Sequence, residues 1–281
     1  MEQYLLRTRN ASEKYLDRGF KYFVALTASL VAFVLFAIFA TIFTESIPSI
    51  TKYGIDFLIT SDWNPVNDNY GAFASISGTI VSSLFAIAIA VPLAVGTAIY
   101  ITEDILPFKI RYAIGLTIEL LAAIPSVVLG LWAIFILEPF IRPFLILLNH
   151  YFSWLPIFST KPIGPGMAPA ILILVIMILP IITSISRDSL NQVPNNLKEA
   201  CYGIGATRWS TIFNVQIPAA LSGIAGGVLL ALGRAMGETM AVTMIIGNSN
   251  TFSWSILAPG NTISSMLANQ FGEADGSQVS S

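Results

Sequence analysis

Two ionisable residues interrupt the apolar run GGVLLALGRAMGETMAVTMIIG: Arg234 and, four residues on, Glu238. Four residues is close to one helical turn, so both fall on one face and can pair. A charge at the centre of a bilayer costs about 2.5–3.5 kcal/mol on insertion scales, so such a site needs a reason. One reason is structural, a self-neutralised pair that pins helices together. The other is functional: an anion-relay cation, with the carboxylate keeping binding weak enough for release. Gly233 and Gly237 stand beside the charges and leave room for a substrate or a neighbouring backbone. Glu119 is a third candidate, a little before Pro125 and Ser126 in IELLAAIPSVVLGLWAIFIL. It lines the same pathway or pins a neighbouring helix.

A second constellation is polar. The stretch Asn195 to Pro218, NNLKEACYGIGATRWSTIFNVQIP, reads as two short helices hinged at glycine. Pro194 suits a first helical turn, where its missing N–H costs nothing. Leu197, Ala200 and Cys201 form a small apolar face at helical spacing. Gly203 and Gly205 end that helix, because glycine accepts the positive φ of a C-cap. Thr207 can cap a second helix carrying Trp209, Ile212 and Phe213. A knuckle of this kind, flanked by membrane spans, is shaped to press into a groove on another protein.

The elements that position these residues follow from composition. The chain has 281 residues, of which 55% are apolar and 11% charged. That is too little charge to cover a soluble protein of this length. Five apolar stretches, at about 22–44, 74–101, 112–137, 166–186 and 216–246, are long enough to cross a bilayer, so the chain is an all-α, polytopic membrane protein. Lys and Arg fix the orientation. Following the parity of the spans, ten of them (Arg7, Arg9, Lys14, Arg18, Lys21, Lys109, Arg111, Arg187, Lys198 and Arg208) fall on the N-terminal side. Three, Lys52, Arg142 and Lys161, fall on the other. The positive-inside rule makes the first side cytoplasmic and places the knuckle inside the cell.

Residues 1–21 form a cytoplasmic segment, either an amphipathic helix on the membrane surface or a basic tail. Residues 22–246 form the membrane domain, with a coupling loop at 188–215. Residues 247–281 form an extracytoplasmic segment in which Ile263, Met266, Leu267 and Phe271 suit a short helix. In the outer loop 45–73, Asp62, Asn64, Pro65, Asn67, Asp68 and Gly71 are turn formers, while Trp63 and Tyr70 suit the headgroup layer. Residues 138–165 read as a second outer loop whose apolar pieces, FLILL and WLPIF, are cut by prolines and too short to span. In the second span, rich in Gly, Ala, Ser and Thr, small residues allow close helix approach, and Pro92, Pro125 and Pro180 are bending points within spans. One cysteine and one histidine exclude an internal disulfide and a histidine cluster. A net charge of −2 argues against a nucleic-acid partner.

The knuckle resembles the EAA coupling loop of ABC importer permeases, whose pattern is EAA, three residues, Gly, nine residues, then I-x-L-P. Glu199, Ala200, Gly205 and Pro218 match in register, Cys201 replaces the second Ala, and Val215 and Ile217 stand in for Ile and Leu. TSDWNPVNDNYGAFASISGT, IELLAAIPSVVLGLW and GRAMGETMAVTMIIGNS extend the likeness over nearly the whole chain. They resemble the C-type permease of the bacterial phosphate-specific (Pst) ABC importer. The resemblance implies a type I importer transmembrane domain of the MetI-like fold and a heterodimer with the A-type Pst permease. It also implies a dimer of ATP-binding subunits, and a periplasmic or lipid-anchored protein that delivers inorganic phosphate. Carried over by motif, Glu199 would engage the ATPase, and Arg234 and Glu238 would lie on the phosphate path. The family has a sixth span where this chain shows five, so the sequence is expected to be a fragment or a shortened gene model.

No GxxxxGK[ST] phosphate cradle occurs, so the chain is not expected to hydrolyse ATP or bind a cofactor of its own. Energy would enter through the knuckle, as ATP used by the partner. Two rivals remain. A permease for sulfate or molybdate would share the fold and knuckle, and only GRAMGETMAV and DWNPVNDNYGAF argue against it. A secondary transporter driven by protons through Glu119 and Glu238 would leave the EAA spacing unexplained.

Overall fold

The computed structural model describes residues 11–64, 67, 69–103 and 105–273. Residues 1–10, Pro65, Asp68 and residues 274–281, about which the sequence carries expectations, lie outside the described residues. The described chain is helical: α1 (Ala11–Tyr53), α2 (Asp56–Ile59), α3 (Phe73–Thr102), α4 (Phe108–Ala123), α5 (Ser126–Trp132), α6 (Glu138–Phe152), α7 (Met167–Asn191), α8 (Asn195–Gly203), α9 (Arg208–Thr211), α10 (Ile217–Met236), α11 (Met240–Ile245) and α12 (Ile263–Gln270). π turns join α5 to α6 at Ala133–Leu137 and α9 to α10 at Ile212–Gln216. Five stretches are long and apolar enough to cross a membrane: Tyr15–Tyr53, Phe73–Thr102, Ser126–Phe152, Met167–Asn191 and Arg208–Met236. The helix α1 belongs to one compact unit and Ile55 onward to another. Within its own unit α1 is apolar around its circumference, and its exposed Phe, Leu, Val and Ile side chains suit a lipid environment.

The second unit is built around α7, whose Ile173, Leu174, Ile178 and Ile182 are fully buried. Against it lies α3, in which Ala86, Ala90, Ala94 and Ala98 repeat every four residues and are fully buried. A ridge of alanines at that spacing lets two backbones approach, and in lipid such close contact supplies much of the association energy. α10 closes the other side of α7. A Cβ on Gly223 would strike the Ser189 side chain, and one on Gly227 would crowd Ile185. Those two contacts, four residues apart in opposite senses, make α10 and α7 antiparallel. We call the end of this bundle that carries α8 the knuckle end, and the other the loop end.

The loop end is knitted by backbone. Gly166 N–H donates to Ile245 O, Met167 to Ala258, Ala168 to Ile256, Ile256 to Ile157 and Gly260 to Ile246. A Cβ at Gly78 would fall on the Asn261 carbonyl, so only glycine permits that close approach. Thr262 caps α12 in a reciprocal capping box with Ser265. Ile263 N–H reaches Thr79 Oγ1, and Ser264 Oγ reaches the carbonyl of Met236. The segment after Gly247 thus folds onto the bundle, and the short helix expected around Ile263–Phe271 is α12. Tyr70 is buried edge-on to Trp63, with centroids 4.9 Å apart, as part of a packed turn.

Two spans differ from expectation. The stretch 112–137 is not one helix: it breaks at Ile124 and Pro125, both with extended backbone, because a proline steers the preceding residue away from helix. The helix that follows the break runs through Pro139 and Pro143 to Phe152, so FLILL belongs to a continuous stretch long and apolar enough to cross a membrane and not to a short proline-cut piece. Pro139 does not stop it because the π turn shifts the bonding register, Glu138 N–H donating to Ala133 O five residues back. The same shift precedes Pro218, where Ile217 N–H donates to Ile212 O. The stretch 216–246 is also broken: helix runs from Arg208 to Met236, stops at Gly237, and resumes as α11.

Candidate functional site

That second break lies at the charged pair. Arg234 is in the last turn of α10 and Glu238 lies between α10 and α11. Carrying the α10–α7 register on by seven residues from Gly227 and Ile185 sets Arg234 level with Ile178, near the middle of α7. A cation suits the carbonyl end of α10, and the Glu238 carboxylate accepts from Ala241 N–H at 3.4 Å in the first turn of α11. Arg234 Nη2 lies 3.5 Å from Glu238 Oε2, beyond good hydrogen-bond geometry. The carboxylate is buried and the guanidinium half exposed, with side-chain exposures of 5% and 50%. Beside it Gly233 has no heavy atom within 4 Å of where a Cβ would be, while at Gly237 a Cβ would meet only the Gly233 carbonyl, at 3.3 Å. Broken helix at bilayer depth is tolerated where it is buried in protein or faces a polar cavity. Arg234 therefore presents free N–H donors at mid-bundle on an open face.

Glu119 is elsewhere. It lies on α4 with an exposed carboxylate 3.6 Å from Arg187, a residue four positions from the Asn191 end of α7 that also contacts Asp188 at 3.1 Å. Nine residues of α7 separate that level from Ile178, roughly 13 Å along the helix axis. The structure thus brings Arg234 and Glu238 together and leaves Glu119 at the knuckle end. A pair missed from sequence is Glu138–Arg142 in α6. Arg142 Nε and Nη2 each donate at 2.7 Å to the two oxygens of the buried Glu138 carboxylate. Its spacing of four residues was a usable signal, hidden because the stretch read as a proline-cut loop.

The knuckle is two helices hinged at glycine, as the spacing predicts. Gly205 N–H donates to Tyr202 O and Ala206 N–H to Cys201 O, the two bonds of a Schellman end. Gly205 has φ of +87°, whereas Gly203 closes the helix with no such need. Pro194 is the cap before α8 and not its first residue. Thr207 Oγ1 accepts from Ser210 N–H at 3.3 Å and starts α9, which continues through the π turn into α10. No residue of α8 is buried, and Leu197, Glu199, Ala200 and Tyr202 are exposed, with Cys201 half-buried. At the end of α8, just before the hinge, Ile204 is 87% exposed, and Pro218 is exposed at the start of α10. The base is anchored, since Ile212 packs in a buried cluster with Ala98, Ile99, Leu190 and Val193. A tie that no local spacing reveals is Lys198 Nζ to Glu103 Oε1 at 2.8 Å, between residues 95 apart in sequence.

Residues 105–268 match the family described as the binding-protein-dependent transport system inner membrane component. The phosphate transport system permease protein PstC of Mesorhizobium japonicum is 46% identical over 254 residues, covering 89% of this chain and 77% of that one. The chain belongs to the PstC permease family. PstC of Pasteurella multocida is 40% identical over 97% of this chain and 87% of its own length. A probable PstC of Methanocaldococcus jannaschii is 37% identical over 89% and 81%. The fold is that of ABC importer permeases: a chain of the inward-facing MetNI methionine ABC transporter superposes with a TM-score of 0.51, 21% identity and coverage of 74% of this chain and 83% of that one. Like its PstC relatives the chain is a multi-pass membrane protein of a transport system, and neither the sulfate or molybdate permease nor the proton-coupled transporter is favoured beside that family.

Proposed function

We propose that this chain is the C-type permease subunit of an ABC importer and passes inorganic phosphate through the membrane by alternating access. The observation that carries the reading is Arg234: a half-exposed guanidinium, loosely held by a buried carboxylate, where a helix breaks at mid-bundle. A planar guanidinium offers several N–H donors to the oxygens of a tetrahedral anion. Glu238 repels the same anion, which keeps occupancy short, and Gly233 leaves the approach open. Phosphate gains a partner in transit without a deep trap.

The chain hydrolyses no ATP and holds no cofactor in this reading. ATP is used by a dimer of partner ATP-binding subunits, which grip α8 through Glu199, Leu197 and Ala200, with Cys201, Gly205 and Pro218 shaping the knuckle. Residues 1–21 and the 188–215 coupling loop face the cytoplasm, the membrane domain is 22–246, and 247–281 faces outward to a periplasmic or lipid-anchored phosphate-binding protein. The A-type permease covers the open face of α10. Glu119, paired with Arg187, steadies the knuckle end and is not on the phosphate path.

The test is ATP-driven phosphate uptake into proteoliposomes holding this chain with its partner subunits. Arg234→Gln is expected to assemble and lose uptake, and Arg234→Lys to retain part of it. Wild-type uptake by an assembled Arg234→Gln complex would make the pair structural. Uptake unaffected by removal of ATP would point to the proton-driven mechanism.

A further inference from the structure

The helix α8 buries no residue of its own, yet Lys198 leaves it inward, its side chain 18% exposed, to bind a Glu103 side chain that is 9% exposed. Glu103 is the residue on which α3 ends. A carboxylate there meets the negative end of the helix dipole, an unfavourable place that a bound ammonium makes tolerable. The next residue, Glu199, is exposed. Neighbouring residues on a helix are turned about 100° from one another, so α8 holds α3 with one face while showing Glu199 on another. Between α8 and the packed base of the knuckle lies Gly205 at φ +87°, a position with open space around it. A push on α8 alone could be absorbed by rotation at that glycine. With Lys198 fixed to Glu103 the push has a second route. It runs into α3, whose alanine ridge packs on α7 and whose opposite end holds Asn261 and Ile263 through Gly78 and Thr79.

We infer that the Lys198–Glu103 pair is the strut that carries displacement of the knuckle into α3, making both of them positioning residues for transport. The inference rests on the reading of α8 as the ATPase-docking element. The experiment uses the full complex in proteoliposomes and reads two quantities, ATP hydrolysed and phosphate accumulated. Glu103→Gln and Lys198→Gln are each expected to hydrolyse ATP near the wild-type rate while moving about fivefold less phosphate per ATP, a typical size for an inter-site coupling. The exchanged pair, Glu103→Lys with Lys198→Glu, is expected to recover most of that ratio. A merely structural role would lower both quantities together and leave their ratio intact. An unchanged ratio in the single variants, or an exchanged pair no better than they are, overturns the strut. A wild-type complex that moves no phosphate on adding ATP would instead overturn the functional reading beneath it.

Discussion

Among the described residues two Arg–Glu ion pairs share the same four-residue spacing, and they are built to opposite ends. In α6 the glutamate comes first, the arginine grips it with two bonds of 2.7 Å, and the carboxylate is buried. At the end of α10 the arginine comes first, the approach is a single 3.5 Å contact, and a helix break falls between the partners. Order matters on a helix: an acid preceding a base agrees with the dipole and with side-chain direction, and the reverse order is weaker. The α6 pair commits two donors of its arginine to a bidentate grip on its own carboxylate. The α10 pair leaves donors unused on an open face. A charge in a membrane span is therefore not by itself a mark of transport; what distinguishes a relay from a rivet is how much of its hydrogen-bonding capacity remains free.

That contrast can be broken experimentally. The largest effect on stability is expected from Arg142→Gln, which leaves the buried Glu138 without its cation; thermal unfolding in detergent should show the lowest Tm of the set. Glu138→Gln keeps an acceptor and removes the charge, and is expected to cost about 2 kcal/mol, the size of a charge-assisted hydrogen bond. Arg234→Gln should cost less than Arg142→Gln in the same assay, because the contact it removes is a single long one and the Glu238 carboxylate keeps its bond from Ala241 N–H. A loss as large as that of Arg142→Gln would make the two pairs alike. Gly233→Ala should be the mildest, a gain of up to ~0.5 kcal/mol, since the added methyl meets open space and alanine favours helix. A clear loss of stability there would mean that the face is not open.

The parts legible in sequence are those with local causes. Gly205, Thr207 and the register of Glu199 are fixed by backbone rules that act within a few residues, and the structure keeps them. The Arg234–Glu238 pair was legible for the same reason, one turn of helix. The prolines were not. Pro125, Pro139 and Pro218 look alike in an apolar run, but the first ends a helix while the other two follow π turns that absorb the missing donor. Periodicity at 3.6 residues carries no mark of that choice. The Glu103–Lys198 and Glu119–Arg187 pairs join distant segments, and only the packing of α3, α4 and α7 brings them together. The docking of the segment after Gly247 onto the bundle is not legible in sequence, because it rests largely on backbone bonds, to which side-chain composition is blind.

The π turn at Ile212–Gln216 also sets a phase. It inserts one residue beyond the α-helical repeat, so everything after it is rotated by about 100° relative to a regular helix. The compass bearing of Arg234 is thus decided some twenty residues upstream, at the join between knuckle and span. Winding that turn as regular α-helix with its residue count unchanged would swing Arg234 by about 100° away from its open face. Deleting one residue there, such as Val215, would instead straighten the helix and leave Arg234 facing as it does. The facing of the site in this chain thus depends on how the helix is wound as well as on its chemistry.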